Sequence, residues 1–216
     1  MTPRGLVWRV VEAPWSVVLT AAAAIAILGT VCLSYGLLHM GLRTLPQPVA
    51  AAARLPSEPH PSLSSSEPTL ITIPAIGVQS AVMQVGRNAD GTPAAPSGAT
   101  VDDAAWLTSS VTPGAQGVAV IVGHVDTVRS GPSVFYNLYK LKPGDGIAVQ
   151  RKDNRTAGFT VSAVRAYDKD AIPNDVVYGQ TASAMLRLIT CAGVWDAQSD
   201  QYNQNLVVFA TLTDVR

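Results

Sequence analysis

The chain has 216 residues, with 15 Lys and Arg against 15 Asp and Glu, for a formal net charge of zero. That balance excludes the basic footprint of a nucleic-acid binder, and the length allows one ordinary domain with appendages or one large domain. Hydrophobic residues make up 48% and charged residues only 14%, and the apolar excess is local, lying near the N-terminus.

No charged residue occurs between positions 13 and 38, and residues 17–38 (VVLTAAAAIAILGTVCLSYGLL) are almost wholly apolar. About 22 to 24 such residues at a rise of about 1.5 Å span a hydrocarbon core of roughly 30 Å. Trp15 and Tyr35 stand near the ends of the run, as interfacial aromatics do. The alternative is a cleaved signal peptide, whose apolar region is only about 7–15 residues long, so the length favours an uncleaved anchor. Arg4, Arg9 and the α-amine precede the span, offset by Glu12, while Arg43 alone follows closely. This bias predicts a single-pass protein of the cell membrane: residues 1–14 cytoplasmic, 15–40 the transmembrane helix, and the remainder extracellular. Cys32 lies inside the span and reads as small apolar filler.

Residues 41–68 are rich in Pro, Ala and Ser without sustained periodicity, which predicts a disordered or polyproline-like linker. His60 belongs to it and His39 to the membrane edge. The texture changes over 69–216. Short apolar runs at 70–73, 81–85, 118–122, 146–150, 159–164, 186–190 and 206–212 are separated by turn signals such as Asp90-Gly91, Pro113-Gly114 and Pro143-Gly144-Asp145. Helical pattern is scarce, with one or two turns expected over 133–140. Many short strands at close spacing predict an all-β barrel or sandwich. No repeat, heptad or metal-ligand cluster is evident, and no cofactor is called for.

Two runs carry the chemistry. Leu186-Arg187-Leu188-Ile189-Thr190-Cys191 ends on a thiol and is closed by Gly193, and Val118-Ala119-Val120-Ile121-Val122-Gly123 ends at His124. Period-two alternation places Arg187, Ile189 and Cys191 on one strand face and Leu186, Leu188 and Thr190 on the other. Cys191 is the sole cysteine beyond the apolar span, so no intrachain disulfide is available to it. A thiol attacks acyl carbon as its thiolate and needs a base or cation beside it, together with an oxyanion stabiliser. His124 is the histidine outside the span and linker, which makes Cys191 and His124 the candidate pair. The alternative reading of Cys191 is a buried, inert thiol.

Val122-Gly123-His124, Leu188-Ile189-Thr190-Cys191, the opening Ile71-Thr72-Ile73-Pro74-Ala75-Ile76-Gly77-Val78 and Lys142-Pro143-Gly144-Asp145 resemble the sortases, membrane-anchored cysteine transpeptidases of Gram-positive bacteria. Gly123-His124-Val125-Asp126-Thr127, Gly131-Pro132, Val134-Phe135, Val177-Tyr178-Gly179 and Leu186-Arg187-Leu188 look like the class F branch of actinobacteria. The resemblance covers about residues 69–216. It implies an eight-stranded sortase-type β-barrel with short helices, a His–Cys–Arg site, and recognition of an LPxTG-like sorting signal on surface proteins. It further implies Cys191 as acyl-thioester nucleophile, His124 as proton donor and acceptor, and an amine of the cell wall or a pilin as acceptor.

The sequence departs from that family at the third member. Counting back from Leu206-Val207-Val208-Phe209-Ala210 puts Asn205 where the arginine is expected, and an amide donates a hydrogen bond but carries no charge. Arg187, on the Cys191 face, is the substitute expected to reach the groove; the alternative is an arginine extending to solvent. Ile189, Trp195, Asn205 and Asp126 are the expected substrate-contacting residues. Trp195 is placed in a loop over the site, Asp126 orients the imidazole or caps a turn, and Trp106 packs in the barrel. Two other functions compete with transpeptidation: a thiol hydrolase on the same fold with water as acceptor, and a catalytically silent, membrane-tethered β-domain that binds peptide.

Overall fold

The structure, a computed structural model, describes residues 62–216. The expected cytoplasmic segment, the transmembrane helix and most of the linker lie outside the described residues.

Eight strands close into a barrel. They are β1 (Pro68–Ile73), β2 (Val78–Val85), β3 (Ala104–Leu107), β4 (Gly117–Val122), β7 (Gly146–Arg151), β8 (Thr156–Asp168), β9 (Ala184–Asp196) and β10 (Gln201–Val215), and their order around the wall is β1-β2-β3-β4-β9-β10-β8-β7. Antiparallel pairing of β1 with β7 completes the closure. A small hairpin of β5 (Asp126–Thr127) and β6 (Gly131–Pro132) follows β4, and one short helix, α1 (Asn174–Val177), lies between β8 and β9. The helical pattern expected over 133–140 is a single 3-10 turn at Leu138–Lys140.

Alternation along the strands sorts the apolar side chains into two cores. Ile71, Ile73, Trp106, Ile121, Phe159, Leu186 and Leu188 fill the barrel interior. Leu107, Val118, Val120, Ile189, Val207 and Phe209 form a second cluster on the outer face, and it includes Val177 of α1. Strands covered on both faces lose the polar half of the alternating pattern. This is why β4 and the apolar half of β9 read as continuous apolar runs.

The parallel pairing of β4 with β9 matters most for function. Val118↔Met185, Val120↔Arg187 and Val122↔Ile189 are in register, and both strands run toward the same end of the barrel. The Gly123 N–H donates to the Ile189 carbonyl at 3.2 Å, carrying the pairing one residue beyond β4.

Three sequence expectations are corrected. β9 does not stop at Cys191; it continues to Asp196 and pairs with β10, so Trp195 lies in a strand rather than a loop. Gly193 makes this possible, with φ +85° at a point where a Cβ would fall 2.2 Å from Asn203 Oδ1. The last residues assigned to the linker belong to the folded unit: Leu63 is buried, its N–H donates to the Gly114 carbonyl, and Ser64 accepts from the buried Arg151. Finally, β3 was not among the expected strands. Ala-Ala-Trp-Leu has no alternation and, apart from Trp106, no strand-favouring residue, and all four of its residues are buried.

Candidate active site

Cys191 lies on the outer face of β9, half-buried, two residues past Ile189. His124 lies two residues past Val122, the register partner of Ile189. Extending that register sets His124 beside Cys191, since neighbouring strands lie about 4.8 Å apart. Both line one groove of about 800 Å³. Its other walls come from the β2–β3 connection around Arg87–Ala95, the β8–β9 connection from Lys169 to Tyr178, and Gln201 and Asn205 of β10.

Local packing fixes the histidine. A Cβ on Gly123 would fall 2.6 Å from Val134 Cγ1 and 2.7 Å from Phe135 Cδ2, so only glycine fits where the chain leaves β4. The His124 carbonyl accepts from the Phe135 N–H at 3.0 Å. Its Nε2 is 2.9 Å from the Pro96 carbonyl oxygen. A carbonyl only accepts, so Nε2 carries a proton and Nδ1 is left as the basic nitrogen of the neutral ring. Asp102 contributes to the same neighbourhood. Hydrogen bonds from Ser130 and Ser133 hold its carboxyl below the usual range.

Burial pushes the Cys191 thiol up, Lys169 acts in the opposite direction, and Asp126 adds to the rise. The resting nucleophile is therefore a thiol rather than a thiolate at neutral pH, and its activation depends on the groups around it.

The sequence-predicted residues divide as follows. Ile189 and Asn205 line the groove with Cys191 and His124, and Asn205 is the direct register partner of Cys191 across β9 and β10. Asp126 accepts a 2.6 Å hydrogen bond from the Tyr202 hydroxyl and is not among the groove-lining residues. That bond, first among the causes, pushes the Tyr202 phenol up to about 12. Trp195 is exposed and packs edge-on against Tyr202 with ring centroids 5.2 Å apart, outside the groove lining.

Arg187 requires a correction. It shares the strand face of Cys191 but is buried between its register partners Val120 and Phe209. Its guanidinium lies 4.5 Å from the centre of the Phe209 ring and donates to the Leu186 carbonyl, while its Nε has no partner. Four residues of strand separate it from Cys191, about 13 Å. Arg187 does not line the groove. Sharing a face did not mean sharing a cavity, because the outer core covers that part of the face.

Sequence reasoning also missed Lys169, Arg87 and the Pro96 carbonyl. Arg87 and Pro96 lie in an irregular connection, where no periodicity marks a residue as facing the site, and Lys169 stands one residue past the end of β8, where no apolar run shows the strand alternation continuing. Arg87 is engaged locally, with Nε on Ser109 Oγ at 3.0 Å, Nη1 on the Gly91 carbonyl at 2.6 Å, and its guanidinium over Tyr178.

The Sortase domain family model matches residues 71–213. No curated protein sequence matches the chain. Among solved structures, a lid mutant of sortase A from Corynebacterium diphtheriae aligns with a TM-score of 0.53 at 18% identity, over 70% of this chain and 73% of that one. Sortase A of Listeria monocytogenes gives 0.52 at 19%, over 71% and 90%. Sortase C-1 of Actinomyces oris gives 0.51 at 21%, over 67% and 73%. At these identities the similarity is one of fold.

Proposed function

Because the chain belongs to the sortase family, whose domain spans residues 71–213, we propose that it is a cysteine transpeptidase of the class F type acting on an LPxTG-like sorting signal. The observation that carries this reading is the β4–β9 register, which supports a meeting of His124 and Cys191 in one groove. In the proposed reaction the Cys191 proton passes to His124 Nδ1, and the sulfur attacks the scissile carbonyl carbon to form a C–S bond. The C–N bond then breaks, and the imidazolium returns a proton to the departing amine. An incoming amine attacks the thioester carbon, gives its proton to His124, and expels the Cys191 thiolate as the new amide forms. Asn205, opposite Cys191, is suited to donate its amide N–H to the negative oxygen of each tetrahedral intermediate.

The substrates in this reading are surface proteins bearing a sorting signal, and the acceptor is an amine of the cell wall or a pilin. The apolar run of residues 17–38 supports an uncleaved single-pass anchor in the cell membrane, with the barrel outside. The test is to incubate the full-length protein in detergent with an LPxTG-like peptide, with and without an oligoglycine amine, and to follow both protein and products by mass spectrometry. An acyl adduct on the Cys191 peptide, and an amide product that requires the amine, are expected. Turnover that survives Cys191→Ala would overturn the assignment. Hydrolysis as the sole outcome at saturating amine would replace the transpeptidase by a thiol hydrolase.

A further inference from the structure

The position opposite Cys191 is neutral, Arg187 is sequestered in the outer core, and Arg87 is tied to its own loop and to Tyr178. A groove built to hold a thiolate and then an oxyanion still calls for a cation. The sheet register points to one. Cys191 opposes Asn205 across β9 and β10, and Asn205 opposes Tyr167 across β10 and β8. Directly opposed residues point to the same side of a sheet, so these three form a row on the outer face. Lys169 follows Tyr167 by two residues and returns to that face.

Lys169 is also held in place. Its backbone N–H donates to the Asn203 carbonyl at 3.1 Å, which extends the β8–β10 pairing by one rung. Its Nζ donates to Gln201 Oε1 at 3.0 Å, a neutral acceptor, and it forms no ion pair among the described residues. The ammonium therefore keeps its charge unneutralised while its stem is fixed. Lys169 lines the same groove as Cys191 and His124.

We propose that Lys169 is the cation of this site, supplying the positive charge against which Cys191 ionises and against which negative charge builds on the substrate carbonyl oxygen. The second half of this inference rests on the transpeptidase reading; the first does not. The other titratable groups around the thiol are His124 beyond β4, Asp126 on β5, Tyr202 on β10, Tyr167 on β8, Asp170 next to Lys169, Tyr178 after α1, and Arg87 and Asp90 across the groove. Of Lys169 and Arg87, the lysine and arginine that line the groove, Lys169 is the one whose effect opposes the rise of the thiol. Lysine at this place performs by charge alone what a planar guanidinium does by charge and paired hydrogen bonds, which leaves the directional bond to Asn205.

The experiment measures the alkylation rate of Cys191 by iodoacetamide against pH, read on the Cys191 peptide by mass spectrometry. It uses the full-length protein in detergent with Cys32→Ala as background, so that one thiol reports. Lys169→Gln is expected to raise the midpoint by about half a unit to one unit, slowing alkylation near neutrality about three- to tenfold, while Lys169→Arg keeps the parental profile. Raising the salt concentration should move the parental midpoint upward and leave that of Lys169→Gln in place, which a merely structural role of the lysine would not produce. With a sorting-signal peptide, Lys169→Gln should lower kcat about a hundredfold with little change in KM. A Lys169→Gln profile that overlays the parent overturns the inference even if the parent turns peptide over. A shifted profile in a protein that turns no peptide over sustains the charge assignment and defeats the transpeptidase reading.

Discussion

Arg187 is a charged residue in an apolar setting. Burial pulls its guanidinium down to about 10 from an ordinary 12.5, because the folded chain disfavours the cation. A base whose folded value is depressed weakens the fold, in full at pH below about 10, and the penalty eases only from there up to the ordinary 12.5. At neutral pH the penalty is fully present, offset in part by the Phe209 ring and the Leu186 carbonyl. Arg187→Met keeps the length and volume without the charge. Its melting temperature is expected to match or exceed that of the parent, and its Cys191 alkylation profile should be unchanged. A large loss of peptide turnover in a stable Arg187→Met protein would return this residue to the active site. The strand face of Arg187 was legible from alternation alone. Its burial was not, because it depends on Val120 and Phe209, which reach it from β4 and β10 through pairings that no local window contains.

The site depends on two strands running side by side, and on the glycine at which one of them ends. A Cβ at Gly123 would press into Val134 and into Phe135, which is fully buried and cannot move away cheaply. Gly123→Ala is expected to destabilise the protein by about 1–3 kcal/mol through overpacking. It should also displace His124, so that acylation falls by far more than the melting temperature implies, on the order of a hundredfold for a shift near 1 Å. Single-turnover acylation beside thermal melting separates the two effects. Arg151 plays the corresponding structural role at the entry to the barrel, donating to the Pro113 and Ser64 carbonyls and forking onto Asp153. Arg151→Met leaves those two carbonyls without that donor and should cost about 2–3 kcal/mol, read by chemical denaturation. Arg151 holds the Asp153 carboxyl below its ordinary value, so this contribution is present above the ordinary carboxylate range and is lost as pH falls through the lowered one. The gap between parent and variant should therefore narrow in acid. Most strands could be read from the chain because their apolar runs are long. The distal half of β9 could not, since Trp195 and Asp196 are exposed and polar turn residues follow them.

At the scale of the whole molecule, the barrel accounts for residues 62–216, and the apolar run before it accounts for where the barrel is expected to work. The mature protein should retain residues 1–40, fractionate with membranes, and expose its C-terminal domain to protease added from outside intact cells. A mature N-terminus near residue 40 in protein recovered from the medium would show the run to be a cleaved signal. The eight-stranded barrel followed from family resemblance more than from pattern, since alternation alone allowed barrel or sandwich. The parallel β4–β9 contact has a kinetic consequence. Val122 and Ile189 have β5 to β8 between them in the chain, so their contact carries a large loop-closure cost and is expected to form late in folding. Until then Cys191 is an ordinary exposed thiol with an ordinary affinity for protons. Its chemistry is expected only once this long-range pairing has formed, so recovery of the perturbed thiol during refolding should report the β4–β9 contact rather than the formation of either strand alone.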